Sequence, residues 1–171
     1  KAIKEAIDKG DIEYIKKIAV DQEEAGATYI DVNAGTFVGT EIEHLKWMIE
    51  NIQQVVDIPC CIDSPDPKAL EAALKVHKGT AMINSISLEE DRYDAVLPVV
   101  AGTDLKIVAL CMSSDGMPET CDQRLKIADK LINGLVKNNV DIDNIYVDPL
   151  VQPIGTDDTY GFEFLDSVAA I

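Results

Sequence analysis

The chain has 171 residues, of which 47% are hydrophobic and 27% charged, and it carries a formal net charge of −16. That length fits one domain at the usual roughly 100–200 residues each. So acidic a surface argues against nucleic-acid partners, and no apolar stretch approaches the roughly 18–20 residues of a membrane span.

A helical pattern over 11–25 places Ile12, Ile15, Ile18, Ala19 and Ala25 at spacings of three and four, with Gly26 as its stop. A β-branched run at 28–33 predicts the first strand. The stretch 40–56 aligns Ile42, Leu45, Ile49, Ile52 and Val56 on one helical face, and a second strand follows at 59–64. Pro67 opens a third helix that carries Leu70, Ala73, Leu74 and His77, with Gly79 just past its end. A strand at 80–85, a shorter helix at 89–100 containing Pro98, a strand at 106–112, a long helix at 122–137 and a strand at 144–149 complete the order. The last residues, Ser167 to Ile171, read as helix.

Continuous apolar runs alternating with amphipathic helices indicate a parallel sheet with right-handed crossovers. No Gly-rich turn follows the first strand, as a nucleotide-binding open sheet would require. Polar residues instead close nearly every run: Asp31 and Asn33, Asp63, Asn84, Ser113 and Asp148. Polar groups at the C-terminal ends of several strands are how a (β/α)8 barrel builds its site. The expected fold is therefore α/β, a (β/α)8 TIM barrel of which this chain carries about five of eight strands. Residues 1–171 form a single domain in this reading, with one strand missing before residue 1 and two after residue 171. The alternative is a complete five-stranded domain.

Asp63 and Asp148 can each accept two parallel N–H bonds from a planar fork, and the Asn84 amide can both donate and accept. That combination suits a flat, amide-like heterocycle such as an aminopyrimidinone. Asp and Asn at strand ends can equally cap helices.

Five short motifs occur in order: Asp31-Val32-Asn33-Ala34-Gly35, Cys61-Ile62-Asp63-Ser64, Ala81-Met82-Ile83-Asn84-Ser85, Cys111-Met112 with Gly116-Met117-Pro118, and Tyr146-Val147-Asp148-Pro149-Leu150. Together they resemble the pterin-binding barrel of the methyltetrahydrofolate:corrinoid/iron–sulfur protein methyltransferases, also found in the folate module of cobalamin-dependent methionine synthase. The resemblance implies that Asp63, Asn84 and Asp148 hold the pterin, with Asn33 and Met112 as further substrate-binding candidates. It implies transfer of the N5-methyl group of methyltetrahydrofolate, or a related methylpterin, to the cobalt of a corrinoid (cobalamin) on a partner corrinoid/iron–sulfur protein. It also implies a homodimer with no bound metal. The family's Asn that contacts N5 lies on a later strand than this sequence contains, so the catalytic residue is not identified and a pterin-binding fragment without turnover is a second reading. Dihydropteroate synthase, with matching Asp, Asn and Asp, is the sister resemblance. Its Gly-rich, Ser/Thr-containing segment is replaced here by Asn33-Ala34-Gly35-Thr36-Phe37, and Ile-Asn-Ser at Asn84 favours methyl transfer.

His44 and His77 fall within helical patterns and read as surface or satisfied side chains, which argues against a metal-dependent hydrolase. The four cysteines lack C-x-x-C spacing. Cys60 and Cys61, adjacent in a strand, should face opposite sides, and reduced thiols point to the cytoplasm. Glu89-Glu90-Asp91 reads as a solvated helix start, and Trp47 as packing or a dimer contact.

Overall fold

The structure is a computed structural model that describes residues 2–171. Its elements are α1 (Ala2–Lys9), α2 (Ile12–Glu24), β1 (Ile30–Asn33), α3 (Glu41–Ile52), β2 (Cys60–Asp63), α4 (Pro67–Leu74), β3 (Met82–Leu88), α5 (Arg92–Val100), β4 (Lys106–Ser113), α6 (Cys121–Lys137), a short 3-10 turn (Ile142–Asn144), β5 (Ile145–Asp148) and α7 (Thr159–Ala170). The strands neighbour one another in chain order, β1-β2-β3-β4-β5. The chain forms two compact units that meet within β3, one ending at Ile83 and the other spanning Asn84–Ile171.

In the first unit β1 and β2 pair in parallel with Ile30 opposite Cys60 and Asn33 opposite Asp63. Side chains alternate across a strand and paired residues share a face. Ile30, Val32, Cys60 and Ile62 therefore form one face, each 4% exposed or less, against which α2, α3 and α4 pack. Burying a side chain the size of Ile62 stabilises by about 1.5–3 kcal/mol. Asp31, Asn33, Cys61 and Asp63 form the other face, so Cys60 and Cys61 do point opposite ways. Burial pushes both thiols up to about 12, which keeps them protonated.

Local signals set the helix ends. Asp11 caps α2 by accepting from Tyr14 N at 3.2 Å, and Asp66 caps α4 by accepting from Lys68 N at 2.9 Å, with Pro67 at the first turn. Gly26 (φ +90) ends the turn after α2. The helix expected to reach Gly79 stops at Leu74, and His77 lies beyond it. The His77 Nε2 accepts from Cys60 N at 3.1 Å and its Nδ1 lies 3.3 Å from the Gly79 carbonyl. The first bond requires Nδ1 to carry the proton, so this histidine ties α4's exit to the start of β2, and burial lowers its pKa. His44 instead packs on Phe37, ring centroids 4.3 Å apart.

In the second unit β4 pairs in parallel with β5, Ile107 opposite Ile145 and Leu110 opposite Asp148. Ile107, Ala109 and Cys111 are fully buried on the face that α6 covers. A capping box starts α6: Thr120 accepts from Gln123 N, and the Gln123 side chain accepts from Thr120 N. β3 runs to Leu88 rather than ending at Ser85, because Ile86 and Ser87 are buried as deeply as Ile83. The helix at 92–100 continues through Pro98. The acidic cluster precedes it: Ser87 Oγ donates to Glu89 Oε2 at 2.8 Å, and Glu90 N donates to Ser114 Oγ at 2.8 Å.

Gly134 sits in the interior of α6, where alanine would ordinarily be favoured by roughly 1 kcal/mol. Here the Tyr93 hydroxyl, buried without a well-formed hydrogen bond, occupies the space that a Cβ would need, with Tyr93 Cζ only 3.2 Å from that position. Gly134→Ala is predicted to destabilise the chain by about 1–3 kcal/mol, read by chemical denaturation, with partial recovery in Gly134→Ala/Tyr93→Phe. A stabilised single variant would show that Tyr93 does not pack there.

Candidate functional site

The C-terminal ends of the strands carry the polar residues singled out in the sequence. In the first unit, Asn33 ends β1 level with Asp63 at the end of β2. Asn33 Nδ2 donates to Asp63 Oδ2 at 2.6 Å, and Asn33 Oδ1 accepts from Gly35 N at 2.9 Å. The Gly35 N–H can face only the amide oxygen, which fixes the orientation of the amide and turns its NH2 toward the carboxylate. Both polar ends of Asn33 are thus engaged, and Asp63 is held as an acceptor with its other oxygen free of this bond.

Ser64 follows Asp63 and is fully buried. Its hydroxyl donates to Glu41 Oε1 at 2.5 Å and accepts from Asp66 N at 3.1 Å. The serine of the Asp-Ser pair therefore pins the exit of β2 to the first turn of α3 and the cap of α4. Asp31 lies two residues before Asn33 on the same face. Burial raises its pKa first, the Asp63 charge raises it further, and the adjacent Cys61 thiol offsets part of this.

In the second unit Asn84 lies within β3, third of its seven residues, and is half-buried. It does not close the strand as the sequence pattern suggested. The peptide joining it to Ser85 is cis, and the Ser85 carbonyl accepts from the Arg92 guanidinium at 2.7 Å. Met112 is half-buried near the end of β4. It lies two residues beyond Leu110, the partner of Asp148, so Met112 and Asp148 share the face turned away from α6. Asp148 ends β5, exposed, and its Oδ1 accepts from Leu150 N at 2.8 Å.

Behind that turn is Arg124, fully buried on α6. Its Nε donates to Pro149 O at 2.8 Å, and its two NH2 groups donate to Leu150 O and Glu119 O, each at 3.0 Å. Cys111 packs on the same helix, Sγ 3.8 Å from Arg124 O. Burial, and then the Asp148 charge, push its thiol up to about 11, with Arg124 opposing. Arg124 was not among the sequence candidates. Its signal was visible: it occupies a position on the apolar stripe of Ala128, Leu131 and Leu135, where a charge is out of place.

A cavity of about 440 Å³ also lies in the second unit, between the β4–α6 loop and α6, and is lined by Ser113, Met117, Lys126, Ile127 and Lys130 among others. Asn84, Met112 and Asp148 do not line it. Among the described residues, no group of three or more His, Cys, Asp or Glu is placed to hold a metal ion, and no helix is long and apolar enough to cross a membrane.

The model of a family of pterin-binding enzymes matches residues 2–171. The methylcorrinoid:tetrahydrofolate methyltransferase of Eubacterium limosum is 35% identical over 171 residues, covering 99% of this chain and 63% of that protein. Methionine synthase of Mycobacterium tuberculosis (strain ATCC 25618 / H37Rv) is 29% identical over 163 residues, covering 91% of this chain and 14% of that protein. The chain thus spans less than two thirds of either relative. Among solved structures, dihydropteroate synthase from Xanthomonas albilineans in complex with 7,8-dihydropteroate superposes with a TM-score of 0.73 at 18% identity, over 92% of this chain and 58% of that one. At that identity the likeness shows the fold, that of the (β/α)8 pterin-binding barrel, of which five parallel strands are present here.

The Asp31 carboxyl has a folded-state pKa above its unfolded value. Its protonated form is therefore favoured in the fold, and the stability it lends is complete at low pH and lost as pH rises through the folded pKa. Asp31→Asn removes that loss. The variant is predicted to be more stable than the parent at pH 7, by less than about 1 kcal/mol given solvent screening. The gain should disappear toward about pH 3, as followed by denaturation at both pH values. A variant no more stable at pH 7 would contradict this account of Asp31.

Proposed function

Because this chain belongs to the pterin-binding enzyme family, we propose that it is the pterin-holding part of a methyltransferase that moves a methyl group between N5 of a tetrahydrofolate-type pterin and the cobalt of a corrinoid on a partner protein. The observation that carries this reading is the 35% identity along 171 residues to a methylcorrinoid:tetrahydrofolate methyltransferase. That relative's name writes the transfer toward tetrahydrofolate. Transfer from methyltetrahydrofolate to the corrinoid is the reverse of the same step and uses the same binding groups.

In this reading Asp63 and Asp148 accept N–H bonds from the aminopyrimidinone edge, Asn84 donates to it and accepts from it, and Met112 lies against the ring. The geometry that supports it is the preset state of both carboxylates: each already accepts one donor of the chain, Asn33 Nδ2 or Leu150 N. Acceptors fixed in advance lose little freedom when the ligand arrives. Asn33 acts here by orienting Asp63. The methyl group leaves the tertiary amine N5, which takes up a proton, or in the reverse direction joins the secondary amine N5, which gives its proton up. A residue that holds the pterin rigidly aligns that nitrogen for in-line transfer. The corrinoid supplies the methyl donor or acceptor and is held by its own protein. A dihydropteroate synthase activity has weaker support, since those neighbours stand at 16–20% identity. We further place the protein in the cytoplasm as a homodimer. The free thiols of Cys60, Cys61 and Cys111 suit a reducing compartment, and the dimer follows the family resemblance.

Calorimetric titration with methyltetrahydrofolate tests the site. Asp63→Ala, Asn84→Ala and Asp148→Ala should each weaken binding by about tenfold or more, the cost of one or two lost charge-assisted or amide hydrogen bonds. Asn33→Ala should have a smaller effect, and the exposed Glu50→Ala none. Retention of full affinity by all three strand variants would place the pterin elsewhere.

A further inference from the structure

We propose that Arg124 is the positioning residue for Asp148: its buried guanidinium fixes the Asp148–Pro149–Leu150 turn and thereby sets the direction in which the Asp148 carboxylate meets its ligand. The inference rests on the reading above, in which Asp148 holds the pterin edge.

Arg124 has 0% relative exposure, and its hydrogen bonds all go to neutral backbone carbonyls. A buried cation without a carboxylate bonded to it is costly, and an apolar side chain of similar volume would fill the same stripe of α6 at lower cost. What the guanidinium does that an apolar chain cannot is tie two segments. It grips Glu119 O ahead of α6 and both Pro149 O and Leu150 O after β5. The second grip falls on a demanding piece of backbone. Leu150 has φ 59, the left-handed region that a branched side chain rarely adopts without support from its surroundings. Its carbonyl is held by Arg124, and its N–H is thereby aimed at Asp148 Oδ1, 2.8 Å away. One Asp148 oxygen is in this way committed, which orients the carboxylate. Cys111, buried on β4, lies with its Sγ 3.8 Å from the Arg124 carbonyl, so the strand that pairs with β5 is also seated on this residue of α6. A planar fork that donates in three directions is a geometry lysine cannot reproduce.

The test uses the full chain and two probes, 6-methylpterin and 6-methyllumazine. They differ at position 2, where the amino group that a carboxylate accepts from is replaced by a carbonyl that repels it, and at the neighbouring N1, which carries a proton in the lumazine. The parent should prefer the pterin by about tenfold or more, and Asp148→Ala should erase that preference. Arg124→Lys should lose most of the preference while lumazine affinity changes little, and Arg124→Lys/Asp148→Ala should be no worse than Asp148→Ala alone. Equal weakening of both probes, or effects that add in the double variant, would mean that Arg124 serves only the fold and would overturn the proposal. Should Arg124→Lys fail to fold, Pro149→Gly decides: it keeps the guanidinium but frees the turn, and must also reduce the preference, a full preference overturning the proposal. If Asp148→Ala itself leaves the preference intact, the assignment of Asp148 falls, an outcome distinct from failure at Arg124.

Discussion

Parallel pairing brings Asn33 level with Asp63 and Leu110 level with Asp148, and the two-residue period of a strand then decides where every neighbouring side chain goes. Ile30, Val32, Cys60 and Ile62 are committed to the helix side in the first unit, and Ile107, Ala109 and Cys111 in the second. A slip of one residue would turn the carboxylates into the apolar layer, where an unpaired charge is heavily penalised. The hydrophobic face therefore fixes the register, and the register delivers the polar residues to the opposite face at the strand ends.

Each carboxylate is then set by a local device. Asp63 receives the Asn33 amide, itself oriented by Gly35 N, while the following Ser64 is anchored on Glu41. Asp148 receives the Leu150 amide, and that turn is gripped from behind by Arg124. In both cases the residue after the carboxylate is held to a helix start: Ser64 by Glu41 in the first turn of α3, and Pro149 by Arg124 in the first turn of α6. Supporting contacts of this kind keep a binding group in position before its ligand arrives. The cavity beside α6 is lined by two lysines, Lys126 and Lys130, together with Asp115, a different chemistry from that of the strand ends.

Much of this was legible from residue order alone. The β-branched runs located all five strands, and Gly26, Pro67 and the 122–137 stripe located helix boundaries, because those signals are local. Whatever depended on tertiary partners was misplaced. α4 ends three residues before His77 because that imidazole is needed at Cys60 N, a bond no local pattern encodes. β3 overruns Asn84 because Ile86 and Ser87 find burial, so a polar residue does not mark a strand end when apolar neighbours follow it. Asn33 could be named as polar and near the site, but not as the orienting partner of Asp63, which is a matter of cross-strand register. Arg124, by contrast, was legible but missed: an arginine in a helix reads as solvent-exposed until the stripe it occupies is compared with Ala128, Leu131 and Leu135.

A crystal structure of the chain with methyltetrahydrofolate would test the central claim most directly. The account predicts the aminopyrimidinone edge within hydrogen-bonding distance of the Asp63, Asn84 and Asp148 side chains, with the Asn33–Asp63 and Leu150–Asp148 bonds unchanged. A pterin bound away from these strand ends, for example in the lysine-lined cavity beside α6, would contradict it.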